Sequence, residues 1–238
     1  LLIRAGTWRT PFIVMAGACA VMAVALDGGV VATTRERRSL SSFTWTGPKR
    51  AAVATFVFMG VGHSMMLVTF ASWLEDEHGV SIAGLGLTAT VIGIAELIGS
   101  AGSAAASDRL GLGRSLRIAL LAAAGASATL LAGSQTFLLA LVTMALYFVV
   151  VEYAIVTLLS LASELDLRAR GTMMGIAFAA FAIGHAAGAV AGTRIYEAWG
   201  MTENVLLMGV VFAVASIPAT LVGSGAEAAP EIDLEPMA

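Results

Sequence analysis

The stretch TATVIGIAELIGSAGSAAASDRLGLGR, residues 88–114, decides the fold. Residues 88–106 carry one ionisable side chain, Glu96, among Val, Ile, Leu, Ala, Gly, Ser and Thr. About 20 predominantly apolar residues suffice for a helix to cross a hydrocarbon core roughly 30 Å thick. The charged, glycine-bearing segment that follows, Ser107-Asp108-Arg109-Leu110-Gly111-Leu112-Gly113-Arg114, then turns the chain at a membrane surface. A β-barrel would show short segments of alternating polarity instead, and this run has no such alternation.

Working outward, the same pattern recurs. Apolar spans are predicted at 10–33, 51–74, 82–106, 115–132, 136–162, 172–195 and 202–222, seven in all. The chain is 58% hydrophobic and 12% charged, with a mean hydropathy of +0.90. Soluble domains are about a quarter charged, so the expected fold class is an all-α polytopic membrane bundle. The connection at 34–50 is the longest and most polar and is the natural linker. The tail at 223–238 is short and acidic and is expected to be disordered. Leu1 is not a methionine, and the first apolar run has no cleavage-site context, so the chain is read as a fragment lacking its N-terminal part.

Positive charge is distributed unevenly. Alternate connections hold Arg35, Arg37, Arg38, Lys49, Arg50, Arg109, Arg114, Arg117, Arg168 and Arg170, while the other side holds Arg4, Arg9 and Arg194. The positive-inside rule puts the first group in the cytoplasm, with the C-terminus inside. Cys19 is the only cysteine, so an intrachain disulfide or Cys-based zinc site is excluded. Lys49 is the only lysine and reads as part of a polar loop, which argues against a retinal Schiff base.

Four ionisable residues fall inside spans: His63, Glu96, Glu152 and His185. Burying such groups costs at least a few kcal/mol, and they mark substrate or ion routes. Burial favours the neutral form of a carboxyl group, which lets a carboxylate in the membrane take a proton from one side and release it to the other. Glu96 is read as such a proton site. Its structural alternative is a carboxylic acid bonded to a neighbouring helix. Glu152 is a second proton site, a contact for a substrate cation, or an interhelical lock. His63 and His185 relay protons or serve as neutral hydrogen-bonding residues. Their spacing carries no metal-ligand pattern, so neither a metal nor a cofactor is expected. Asp27 sits near one end of the first span, within reach of the interface. Tyr147, Phe148, Tyr153 and Phe178 line an apolar pocket or pack. Gly184, Gly188 and Gly192, like Gly99, Gly102 and Ser103, allow close helix approach, either for static packing or for a sliding contact.

Asp108-Arg109-Leu110-Gly111 resembles the Asp-Arg-x-Gly-Arg-Arg loop of major facilitator superfamily transporters, in the degenerate form of that motif's second copy. Ala104 replaces a preferred glycine, and the basic pair is dispersed to Arg114 and Arg117. Thr7-Trp8-Arg9-Thr10-Pro11-Phe12 resembles the start of that family's helix 6, and Glu164 through Arg170-Gly171 resembles the loop before helix 11. On this resemblance residues 1–33 are the last helix of the N-terminal half and 34–50 the central cytoplasmic loop. Residues 51–222 are then the six-helix C-terminal half, helices 7 to 12. The resemblance implies that helices 7, 8, 10 and 11 face a central cavity, and these carry His63, Glu96, Glu152 and His185. It also implies a cytoplasmic gate at Asp108, Arg109 and Gly111. The function it implies is proton-coupled efflux of a small organic solute, drug-like or sugar-like, across a bacterial inner membrane. The expected partners are a small-molecule substrate, protons, the lipid bilayer and the N-terminal half, without nucleic acid. An intramembrane enzyme is disfavoured, since Gly99-Ser100 and Gly62-His63-Ser64 lack a Gly-x-Ser-Gly nucleophile pattern. A seven-helix sensor is the remaining alternative.

Overall fold

The structure, a computed structural model, describes residues 13, 16, 17, 20, 21 and 43–227. The chain divides into two compact units, residues 1–39 and 40–238. Of the first, the described residues Ile13, Ala16, Gly17, Ala20 and Val21 are helical. The rest of the predicted span 10–33 lies outside the described residues. So do Asp27, the Thr7–Phe12 segment, residues 34–42 of the connection and residues 228–238 of the tail.

The second unit holds six helices long and apolar enough to cross a membrane. They are α1 (Gly47–His78), α2 (Ile82–Leu110), α3 (Leu112–Thr129), α4 (Phe137–Glu164), α5 (Arg170–Trp199) and α6 (Met201–Glu227), with a 3₁₀ segment, Leu130–Ser134, closing α3. These match the last six of the seven predicted spans. Most run further than the apolar runs. The acidic residues Glu75, Asp76 and Glu77 form the last turn of α1 rather than a loop, and Asp108 and Arg109 form the last turn of α2. Lys49 lies in the first turn of α1, beside Pro48, not in a loop. Gly223 and Ser224, expected to begin the tail, are helical in α6. Polar residues extend a helix readily where it leaves the hydrocarbon, so hydropathy marks the lipid crossing and not the helix end.

The ends are set by specific chemistry. Ser81 and Thr136 cap α2 and α4 by accepting the amides of Gly84 and Leu139, which satisfies donors that have no partner within the helix. Gly79, at φ 61°, ends α1 by donating its amide back to Glu75. Gly111, at φ 78°, is the one residue between α2 and α3. Only glycine takes such an angle without steric cost, so a single position reverses the chain.

The packing has a two-fold logic. α1 packs most extensively on α5, and α4 on α2; α1 also packs on α6, and α4 on α3. Each helix that opens a set of three therefore lies against the middle helix of the other set. The buried residues of the two middle helices run in the same steps: Thr88, Ile92, Ala95, Gly99, Ser103, Ser107 on α2 and Met173, Ala177, Ala180, Gly184, Gly188, Gly192 on α5. Steps of four and three keep one helical face toward one partner. At Gly184 and Gly188 an added Cβ would strike the carbonyl oxygens of Val57 and Val61. The backbones of α1 and α5 thus touch directly, as small residues allow in lipid. Between the helices sit Phe56, Trp73, Tyr147, Phe148 and Phe212, each at most 2% exposed.

Lys49, Arg50, Arg109, Arg114, Arg117, Arg168 and Arg170 gather at one end of the bundle, because α1, α3 and α5 begin there and α2 and α4 finish there. The other end carries Glu75, Asp76, Glu77, Glu197 and Glu203, with Arg194.

Candidate functional site

Four helices each supply one ionisable residue to a common region: His63 on α1, Glu96 on α2, Glu152 on α4 and His185 on α5. His63 Nε2 lies 4.0 Å from Glu96 Oε1, ion-pair range when the ring is protonated. The His63 and His185 rings are 5.7 Å apart between centroids. Glu152 Cβ lies 3.0 Å from where a Cβ on Gly99, three residues after Glu96, would stand, and its carboxylate accepts a hydrogen bond from Ser100 Oγ at 2.9 Å. The sequence-predicted residues are therefore neighbours in space, although they are far apart in the chain.

The helices converge this way because α5 presses on α1 through glycines, while α2 presses on α4 at Gly99. There an added Cβ would strike the carbonyl oxygen of Val149 and come within 3.1 Å of the Tyr153 amide. Glu96 lies one turn before Gly99 on α2, and Ser100 directly after it. The same close approach that excludes a side chain at Gly99 brings Ser100 against Glu152.

The site has a more exposed side and a buried side. The Glu96 side chain is 37% exposed, whereas His63 is 12% exposed. His63 is wedged between Phe148, edge-on at 5.9 Å, and Phe181 at 6.0 Å. Phe181 also stacks 5.9 Å from His185, one turn later on α5. Nδ1 of both histidines is buried without a hydrogen-bond partner. Buried polar atoms are nearly always satisfied, so two orphaned ring nitrogens side by side leave capacity to hold a proton or a polar ligand. Among the described residues no group of three or more His, Cys, Asp or Glu is placed to hold a metal ion.

The aromatic candidates separate. Tyr147 is fully buried and donates its hydroxyl to the carbonyl of Gly62 at 3.0 Å, so it locks α4 to α1. Phe148 is buried against His63, and Phe178 is 57% exposed. Tyr153 is half-buried and shares a 2.6 Å hydrogen bond with Ser115 of α3. Asp108 and Arg109 are exposed, and no ion pair among the described residues includes either. Gly111 is the turn residue described above.

Sequence reading missed Ser100, Phe181 and the ion pair of Lys49 with Asp166. Phe181 had a signal, since it stands four residues before His185 and so shares its helical face. Ser100 had only its step of four from Glu96. Lys49 and Asp166 had none.

A family model described as Major Facilitator Superfamily matches residues 1–189, a range that contains all four ionisable positions. No curated protein matches the chain.

Proposed function

The chain belongs to the Major Facilitator Superfamily and is a secondary transporter of a multi-pass membrane protein class, and from that premise we propose that it moves a small organic solute outward in exchange for protons. The mechanism is alternating access: this six-helix unit and an N-terminal half rock about a site at the bilayer midplane. The membrane is a bacterial inner membrane, with the arginine-rich end of the bundle in the cytoplasm.

One observation carries the proposal. His63, Glu96, Glu152 and His185 meet within the apolar spans, with Ser100 beside them. Keeping ionisable groups at that depth costs several kcal/mol, and packing alone would be served by Ala or Leu. Glu96, the more exposed member, is the proton-coupling carboxylate. His63, 4.0 Å away, shares the proton with it, and His185 stands behind His63. Glu152 and Ser100 form the second polar wall. Asp108, Arg109 and Gly111 serve the cytoplasmic gate, holding an end contact that breaks when the transporter changes state.

Glu96→Gln in the full-length protein tests the coupling. Everted vesicles are assayed with ethidium as a drug-like probe and radiolabelled lactose as a sugar-like one. Proton-driven transport of the accepted probe is expected to vanish while membrane insertion persists. Undiminished proton-driven transport by Glu96→Gln removes the coupling role.

A further inference from the structure

The two equivalent interfaces of the bundle are built differently. At α1–α5, Gly184, Gly188 and Gly192 meet the backbone of α1 and place no hydroxyl in the contact. At α2–α4, the positions in the same steps are Gly99, Ser103 and Ser107. Glycine serves packing at the first interface, so packing alone does not call for serine at the second. Instead, hydroxyls run from the site to the arginine-rich end. Ser100 binds Glu152 at 2.9 Å. Ser103 and Thr157 share a 2.9 Å bond; Thr157 donates its own hydrogen to the Tyr153 carbonyl at 2.8 Å, so Ser103 is the donor between them. Tyr153 and Ser115 share a 2.6 Å bond in which either oxygen can donate. Ser107 is buried one turn beyond Ser103, and Ser115 lies in the first turns of α3, at the arginine-rich end.

From this we infer that the α2–α4 interface is a proton route between Glu152 and the cytoplasmic end, with Ser100, Ser103, Thr157, Tyr153 and Ser115 as its relay groups. The inference rests on the proton-coupled reading above and gives that site its connection to one side of the membrane. In the step, the neutral Glu152 acid gives its proton to the Ser100 oxygen, and Ser100 passes its own hydrogen onward. Each hydroxyl in turn takes one proton and releases one, so every hydroxyl is unchanged at the end. Glu152 is left as carboxylate, and the proton leaves from Ser115, itself 1% exposed, when the arginine-rich end opens. Successive rungs on one helix are about 5.4 Å apart, a gap that one bridging water spans. Ser103 is 1% exposed and Thr157 fully buried. The middle rung is therefore dry in this conformation, and the bridging waters enter only when the interface opens, which stops protons leaking through when substrate is not moving.

The test needs no substrate. The full-length transporter in lipid nanodiscs is given an alkaline pH jump, and the carboxylic acid C=O stretch of Glu152 is followed by time-resolved infrared spectroscopy. Its band is identified by its loss in Glu152→Gln. Thr157→Val keeps the shape of the side chain and removes the hydroxyl; it is expected to slow deprotonation roughly tenfold or more with the titration midpoint unchanged. Thr157→Ser is expected to restore the rate. Tyr153→Phe keeps the ring and removes only the hydroxyl; it is expected to slow deprotonation as well and stands in should Thr157→Val fail to fold. A wild-type rate in both hydroxyl-free variants overturns the route, as does equal slowing by Thr157→Ser, which would mark shape as the cause. A band that Glu152→Gln does not remove also overturns it. Failure here leaves the Glu96→Gln transport assay standing, and failure of that assay leaves the infrared rates interpretable.

Discussion

Lys49 is the only lysine in the chain, and its ammonium is spent on structure. It is 5% exposed and donates to Asp166 Oδ2 at 2.5 Å and to the carbonyl of Thr44 at 2.9 Å, while resting 4.5 Å above the Phe43 ring. Burial by itself would push the Asp166 carboxyl up. The Lys49 hydrogen bond, the Ala169 amide at 2.8 Å and the Lys49 charge outweigh it and hold Asp166 below the ordinary carboxylate value. A depressed carboxyl contributes stability that is fully present above its unfolded value, about 3.9, and is lost as pH falls through the folded value. Melting followed by tryptophan fluorescence in detergent should therefore drop as pH falls below about 4, and Asp166→Asn should flatten that drop while lowering the melting point at neutral pH. An equal acid slope in Asp166→Asn would assign the loss to other carboxylates. Lys49→Met leaves a partly buried carboxylate without its cation and should cost about 1–3 kcal/mol, with Lys49→Met/Asp166→Leu recovering most of it. None of this pair was legible in the sequence, because Lys49 stands in a polar run and Asp166 in a charged loop, each indistinguishable from solvated neighbours. Glu96 and His63 were legible for the opposite reason: an ionisable group in an apolar run is anomalous whatever surrounds it. Their partners Ser100 and Phe181 depend on helix rotation, which one sequence leaves free.

At the scale of the helices, glycine does two separable jobs. Gly188 is a contact residue, where a Cβ would strike the carbonyl oxygen of Val61. That backbone cannot yield without parting α1 from α5, so Gly188→Ile should cost about 3 kcal/mol and broaden the size-exclusion profile of the purified protein. Gly93 is exposed mid-helix with nothing within 4 Å of an added Cβ. Gly93→Ala should raise stability by about 0.5–1 kcal/mol through helix propensity. If both substitutions lowered the melting point equally, the close approach of α1 and α5 would not be the reason for Gly188. Sequence spacing pointed to Gly184, Gly188 and Gly192 as an interface but did not say which helix covers them, since four-residue spacing defines a face and not a partner. The apolar runs located the spans, and their ends moved by several residues wherever polar side chains continued the helix, as at Glu75–His78 and Asp108–Leu110.

For the molecule as a whole, the decisive asymmetry is electrical. The bundle presents arginines at the end where α1, α3 and α5 begin and carboxylates at the other, and basic residues resist translocation while acidic ones contribute little. On the orientation proposed above, a proton leaving Glu152 along α2–α4 would travel into the cytoplasm. Two exposed positions report it: Leu110, 50% exposed at the arginine end, and Ser134, exposed at the end of the 3₁₀ segment on the carboxylate side. In a cysteine-free background of the full-length protein, with Cys19→Ser among its changes, Ser134→Cys should react with a membrane-impermeant maleimide on intact cells, and Leu110→Cys only after permeabilisation. The reverse labelling would turn the bundle over and send the same proton route outward. The route would then serve as the entry path for protons from outside, and the exchange mechanism would lose its cytoplasmic release step.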